Sequence, residues 1–191
     1  MQNIKILKNI AKVISGYAFR GAIKNEEDGK IFVLQAKNIG NDNNILSYDL
    51  PRIKIENART TAFVRQNDVL LSARGGFKSG VFREVGDDFL ASASMYIIRL
   101  KTEKVLPEYL SIYLNSKMGI NQFKKITTGV VIQTILKKDL ENFTIVTPSL
   151  ESQQQIINID TNWKKREKLL NKKILLNKNI ANFTINHIIN S

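Results

Sequence analysis

The chain has no cysteine, one histidine, one tryptophan and three prolines in 191 residues. Without cysteine there is no disulfide and no thiolate metal site, which suits a reducing cytoplasm. With His187 as the only histidine, no cysteine- or histidine-based triad or zinc site can be assembled. A lone histidine on a polar helix end reads as a surface residue. Pro51, Pro107 and Pro148 stand far apart, so the Asn-Pro-Pro-aromatic or Asp-Pro-Pro-aromatic motif of an amino-methyltransferase is missing. Arg74-Gly75-Gly76-Phe77-Lys78-Ser79-Gly80 is glycine-rich but has neither P-loop nor dinucleotide-binding spacing. No apolar run approaches the roughly 18 residues that span a bilayer. Lys5 and Lys8 interrupt the apolar residues of the opening stretch, which therefore does not read as a signal peptide. The expectation is a cytoplasmic protein with no membrane span, no catalytic residues, no metal and no cofactor of its own.

Acidic residues are scarce relative to basic ones: 17 Asp and Glu stand against 29 Lys and Arg, a formal net charge of +12. Such a surplus concentrates polyanions and drives counterion release on nucleic acid. The alternative is a generally Lys- and Asn-rich composition with no such role. The carboxylates include Glu26-Glu27-Asp28, a solvated turn beside Gly29. Glu84, Asp87 and Asp88, followed by Arg99 and Lys101, admit a nuclease-like metal site, although their spacing is unspecific.

What is present divides into two textures. At 191 residues and 43% hydrophobic, the chain has room for one domain and an appendage. Up to residue 148 it shows short apolar runs broken by Gly, Asn and Asp. Residues 31–35, 68–72, 80–84, 94–100 and 142–146 are strand candidates, with turns at 28–29, 40–44, 75–76 and 86–88. Residues 107–118 read as a helix that Pro107 opens. Further helical turns are expected over 119–126 and 134–140.

From 149 to 190 there is no Gly or Pro, and apolar residues recur at helical spacing. Ile156, Ile159, Trp163, Leu170, Ile174, Ala181, Ile185 and Ile188 form one stripe, widened by Leu169, Leu176, Ile180 and Phe183. A helix this long cannot bury its length on a small domain, so it reads as an assembly arm; the alternative is a core helix broken near residues 177–179 and folded back. The expected fold is α+β. A compact mixed α/β domain rich in short strands spans 1–148, and one long coiled-coil-like C-terminal helix spans 149–191.

Several segments together resemble the DNA-specificity subunit of type I restriction–modification systems. Ile6-Leu7-Lys8-Asn9-Ile10-Ala11-Lys12-Val13-Ile14-Ser15-Gly16-Tyr17-Ala18-Phe19 is similar to that family's opening. Asn67-Asp68-Val69-Leu70-Leu71-Ser72-Ala73-Arg74-Gly75 resembles its Asp-(Ile/Val)-Leu strand and glycine-containing loop. Gly129-Val130-Val131-Ile132-Gln133-Thr134-Ile135, then Leu140-Glu141-Asn142-Phe143 and Pro148-Ser149-Leu150-Glu151-Ser152-Gln153-Gln154, is similar to its closing signature, in which Pro-x-Leu-Glu-x-Gln opens a long helix. The resemblance implies a target-recognition domain that binds double-stranded DNA and recruits methyltransferase subunits, with endonuclease subunits where a system has them, in phage defence. S-adenosylmethionine is then expected only in the partner methyltransferase. The family's usual subunit has two recognition domains and two long helices; one of each implies a half subunit that homodimerises to read a gapped palindrome. The alternatives are a remnant or decoy that occupies the methyltransferase without reading DNA, and the metal-dependent nuclease.

Base edges are read by Arg, Lys, Asn and Gln, and phosphates are held by Lys, Arg, Ser, Thr and backbone amides. Three clusters qualify: Gln35, Lys37 and Asn38; Ser72, Arg74 and Lys78 in a glycine-rich, flexible loop; and Lys124, Lys125 and Thr127 with Gln133. Arg59 and Arg65 are weaker candidates. Each cluster is otherwise an ordinary solvated loop. On the helix, Lys164-Lys165-Arg166, Lys168 and Lys172-Lys173 form a basic block that either follows phosphates or is simply the solvated face. Trp163 is expected at a helix interface.

Overall fold

A computed structural model of the chain describes residues 3–40, 42–55, 61–86, 88–129 and 133–190. The chain divides into two compact units, Met1–Gln154 and Gln155–Ser191. The first opens with β1 (Ile4–Ile6), one helical turn α1 (Leu7–Ile10) and β2 (Ala11–Ser15). β3 (Ile31–Leu34) leads into a 3-10 turn at Ala36–Asn38, followed by β4 (Arg52–Ile53), β5 (Val69–Ser72), β6 (Ser79–Val81), β7 (Phe89–Ala91) and β8 (Met95–Leu100). Next come α2 (Pro107–Asn115), α3 (Lys117–Ile126), β9 (Thr127–Thr128), β10 (Thr134–Ile135), α4 (Lys137–Glu141) and β11 (Thr144–Val146). α5 (Leu150–Ile189) starts in this unit and supplies the second.

Two sheets meet over one core. β2-β8-β5-β6 is antiparallel throughout; in β4-β3-β7, β3 is antiparallel to β4 and parallel to β7. Ile14, Leu70, Met95 and Ile97 from the first sheet and Val33, Leu34, Ile53 and Leu90 from the second belong to one buried cluster, with Phe82. The alternation of β8 explains this: Met95 and Ile97 share one face, while Tyr96 and Ile98 are buried on the other. α2 packs on β5 and β6, and α4 on β2. Each fully buried Leu, Ile or Phe contributes about 2 kcal/mol from the area removed from water.

At the edge of this core the side chain of Asp68 is 2% exposed. It accepts from Arg99 Nε at 2.8 Å and Nη2 at 2.7 Å, and from the Arg65 N–H at 2.7 Å. This fork–fork pairing leads the causes that raise the Arg99 pKa. Asp68 is therefore a structural acid that closes the turn before β5.

β1 pairs antiparallel with β11, from Ile4 opposite Val146 to Ile6 opposite Thr144, and the Thr147 N–H donates to the Asn3 carbonyl at 2.7 Å. The outer edge of β11 is covered by a side chain: Gln122 accepts from the Thr144 N–H at 3.2 Å and donates to its carbonyl at 3.0 Å.

Two expected elements differ from those found. The helix expected over 107–118 ends at Asn115, because the Ser116 hydroxyl accepts the Gly119 N–H at 3.2 Å and starts α3. Within the expected helical stretch 134–140, Thr134–Ile135 is a strand, and the helix begins at Lys137. Thr134 and Ile135 are β-branched and pair with Thr128 and Thr127.

α5 is unbroken over 40 residues, about 60 Å at 1.5 Å per residue, so it does not fold back near residues 177–179. Ile156 is half-buried, whereas Ile159, Trp163, Leu170, Ile174, Ala181 and Ile185 are exposed. No helix among the described residues is long and apolar enough to cross a membrane.

The first turn of α5 is fastened by Gln153, which is fully buried. Its Oε1 accepts the Leu106 N–H, and its Nε2 donates to the Lys104 and Pro148 carbonyls, each at 2.9 Å. The glutamine that ends the Pro-x-Leu-Glu-x-Gln run is thus satisfied at three points. Gln153→Leu strands one donor and two acceptors, so urea unfolding is expected to show about 2 kcal/mol lost; Gln153→Glu, which keeps only the acceptor, should recover little of it.

Candidate nucleic-acid interface

Two of the three candidate clusters are built on the bend at residues 92–94, between β7 and β8. Gly16 runs so close to it that a Cβ there would lie 1.9 Å from the Ser92 carbonyl oxygen. Only glycine permits this approach. The Gly16 N–H donates to the Met95 carbonyl at 3.1 Å, the Tyr17 N–H to Ala91 at 2.7 Å, and the Ala93 N–H to Tyr17 at 2.8 Å. On its other sides the bend holds two loops. Ser94 Oγ accepts the Ala36 N–H at 3.0 Å, and the Ser94 carbonyl accepts the Ala73 N–H at 2.8 Å. The Ser-Gly-aromatic opening of the sequence is therefore a backbone-packing device.

In the first loop Asn38 is buried, and its Oδ1 accepts the Gln35 N–H at 2.9 Å, which locks the 3-10 turn. Gln35 is half-buried and Lys37 is exposed.

The second loop, expected to be flexible, is instead tied at several points. The Ser72 N–H donates to the Lys78 carbonyl at 2.9 Å, and the Ser72 hydroxyl to the Arg74 carbonyl at 2.7 Å. Ser79 N–H donates to Asn115 Oδ1 at 2.9 Å, and Asn115 Nδ2 returns a bond to the Ser79 carbonyl at 2.9 Å. Phe77 is buried with φ +43°, and its ring lies 5.5 Å from that of Phe123. A left-handed backbone at a bulky residue stores strain that the aromatic packing must hold. Arg74 and Lys78 stand exposed on either side of that anchor.

Lys37, Ser72, Arg74, Gly76 and Lys78 line a single cleft of about 480 Å³. The first two clusters of the sequence are thus brought together. The third joins them from the side: the Gly75 N–H donates to the Gln133 carbonyl at 2.9 Å, the Ile135 N–H to the Ala73 carbonyl at 3.1 Å, and Arg74 bridges Thr134. Thr127 pairs with Ile135 in β9–β10, and Lys124 and Lys125 are exposed in the last turn of α3. Arg65 lines a different cleft, with Asp68 and Arg99. Arg59 and the run Val130-Val131-Ile132 lie outside the described residues.

Two residues under the loops carried no recognition motif in the sequence, Ser94 and Tyr96. The Tyr96 hydroxyl donates to the Ile135 carbonyl at 2.9 Å. Burial, foremost, pushes its pKa up, the Arg74 cation pulls it down, and Asp139 adds to the rise. The only available signal was the small-residue run Ala91-Ser92-Ala93-Ser94, of the kind that close backbone approaches require. Of the carboxylates considered for a metal, Glu84 accepts the Ser47 hydroxyl at 2.6 Å, and Asp87 lies outside the described residues. Among the described residues no three or more His, Asp or Glu converge as metal ligands.

The cleft can do one kind of chemistry well: it presents cations and backbone amides, on a fixed scaffold, to an anionic backbone or to base edges. The family profile for the type I restriction modification DNA specificity domain matches residues 3–185. The chain belongs to this family. No curated protein matches the sequence. Among solved structures, the HsdS subunit from Thermoanaerobacter tengcongensis is 21% identical with a TM-score of 0.63, over 90% of this chain and 39% of that one. A chain from a structure on complex assembly and conformational transition of the type I R-M system is 21% identical with a TM-score of 0.66, over 88% and 39%. The type I restriction-modification S subunit from M. genitalium is 15% identical with a TM-score of 0.57, over 93% and 43%. At these identities the likeness is one of fold, a mixed α/β domain of short strands with a long C-terminal helix. The specificity-domain chain spans about two fifths of the length of the structures it matches.

Because the bend carries both basic loops of this specificity domain, Gly16→Ala should cost about 3 kcal/mol through forced separation of the backbones. Chemical denaturation measures the loss, and an unchanged midpoint would contradict the close approach.

Proposed function

We propose that this chain is a DNA-reading specificity unit that recognises one half of a bipartite site through the cleft between Lys37, Arg74 and Lys78. The observation that carries the proposal is that three exposed cations, Lys37 from one loop and Arg74 and Lys78 from another far along the sequence, line one cleft on a strained, hydrogen-bonded scaffold. In this reading Arg74 contacts a base edge. Lys37, Lys78, Lys124, Lys125 and Thr127 serve phosphates, the buried Ser72 hydroxyl holds the loop by donating to the Arg74 carbonyl, and Gln35, Gln133 and Asn38 shape the rim. Arg59 is a further candidate contact on sequence grounds alone.

Two copies pair through α5, whose stripe leaves Trp163 65% and Ile174 65% exposed; so large an apolar surface on one helix calls for a partner helix. Pairing about a two-fold axis gives a palindromic, gapped target. Methyltransferase subunits, and endonuclease subunits where a system has them, dock on the pair and supply the chemistry and the S-adenosylmethionine. A domain of residues 1–148 that reads DNA and an arm of 149–191 that assembles is the division of labour this implies, in the cytoplasm where chromosomal and invading DNA are met.

Selection from a random duplex pool should yield one gapped palindrome. Arg74→Ala should lower affinity for it at least about ten-fold and relax one position, and Lys78→Ala should weaken all sequences alike. Recovery of no preferred sequence by the unaltered chain at moderate salt would overturn the reading.

Leu170→Glu or Ile174→Glu should raise the dimer dissociation constant about thirty-fold, from about 2 kcal/mol for a charge placed in the seam. Light scattering over a concentration series measures it, with a wild-type monomer at high concentration as the contrary result.

A further inference from the structure

The apolar stripe of α5 leaves its basic block unexplained. Between Gln155 and Ser191 there are seven Lys and Arg against two carboxylates, Asp160 and Glu167. Lys164, Lys168 and Lys172 recur every fourth residue, with Lys165 beside them. At 3.6 residues per turn, the four fall on the side of the helix opposite Ile159, Trp163, Leu170 and Ile174. Lys165, Lys168 and Lys172 are exposed, and among the described residues the one ion pair in α5 joins Lys164 to Asp160, at 2.7 Å.

A helix surface that is merely solvated mixes signs, because Glu four residues before Lys stabilises and Lys four residues before Lys repels, each by about 0.3 kcal/mol. Here the repelling arrangement occurs twice in succession, over the stretch where the opposite face is apolar. Pairing two such helices brings two like-charged ridges onto one assembly and adds to the repulsion, which a polyanion relieves. The ridge from Lys164 to Lys172 is about 12 Å long. A duplex of that length carries about seven phosphate charges.

We infer that Lys164, Lys165, Lys168 and Lys172 form a second nucleic-acid contact, a sequence-blind ridge that holds the phosphate backbone of double-stranded DNA. It rests on the DNA-reading assignment of the domain, but on different residues from the cleft. Lysine suits it, since a flexible point charge meets a phosphate without demanding a base edge. The ridge adds affinity and salt dependence to every duplex and preference to none.

The test is the triple variant Lys165→Gln, Lys168→Gln, Lys172→Gln, chosen because glutamine keeps helix propensity and Lys164 has an acidic neighbour. Binding to a duplex of random sequence is titrated across salt concentrations, beside wild type and Arg74→Ala. Each lost phosphate contact removes about 0.9 from the slope of log affinity against log salt. Wild-type affinity should therefore fall about forty-fold more than the variant's between 50 and 200 mM salt. Sequence preference in the random pool and the dimer measured by light scattering should stay as in wild type. An unchanged salt slope beside an Arg74→Ala variant that has lost its preference would overturn the ridge and leave the cleft standing. An unchanged slope with salt-sensitive loss of methyltransferase binding would assign the ridge to an acidic protein surface instead. No DNA binding by wild type would remove both.

Discussion

The two basic loops that line one cleft hang from a three-residue bend. Residues 92–94 leave the parallel pairing of β7 and enter the antiparallel pairing of β8, and their backbone bonds to three other segments, at Tyr17, Leu34 and Ala73. The approach of Gly16 makes this possible, for any side chain there would force the segments apart. Each hydrogen bond contributes only about 1 kcal/mol net, but together they place two loops, distant in sequence, at a fixed separation. A reader of DNA needs such a constraint, because the grooves set a geometry that a mobile loop would have to find at an entropic cost.

The same economy governs the loop that carries Arg74 and Lys78. Its glycines suggest mobility, yet its backbone is bonded to α2, to the strand pair β9–β10 and to itself, and Phe77 is held in a left-handed conformation by aromatic contact. The glycines permit tight curvature; Phe77 and Ser79 remove the freedom. Rigidity and exposure coexist because the anchors point inward while the cations point outward.

The two textures of the sequence announced the architecture. Short apolar runs such as Val69-Leu70-Leu71 became core strands, and the Gly- and Pro-free stretch became an unbroken helix. What escaped were elements made by tertiary context. β4 and β9 have two residues each and exist through their partners, and Ser116 breaks a helix whose apolar spacing runs straight past it. At the candidate site, residue type picked out the exposed cations, since charge and glycine are visible in a sequence. Asn38 was picked out beside them as a base-reading amide; only burial shows that its polar atom holds backbone in place. Ser94 and Tyr96 carried no signal of their own, because supporting a loop from beneath requires no particular spacing.

The pairing of β1 with β11 has a consequence for biosynthesis. It joins Ile4 to Val146, so the domain's first strand must wait, unpaired, for almost the whole domain to leave the ribosome. Contacts of such long sequence separation form late and slowly. α5 is translated after them, and its apolar stripe therefore emerges beside a domain whose last strand is already available. Birth order keeps the exposed apolar stripe from appearing until the strand that closes the domain has been made.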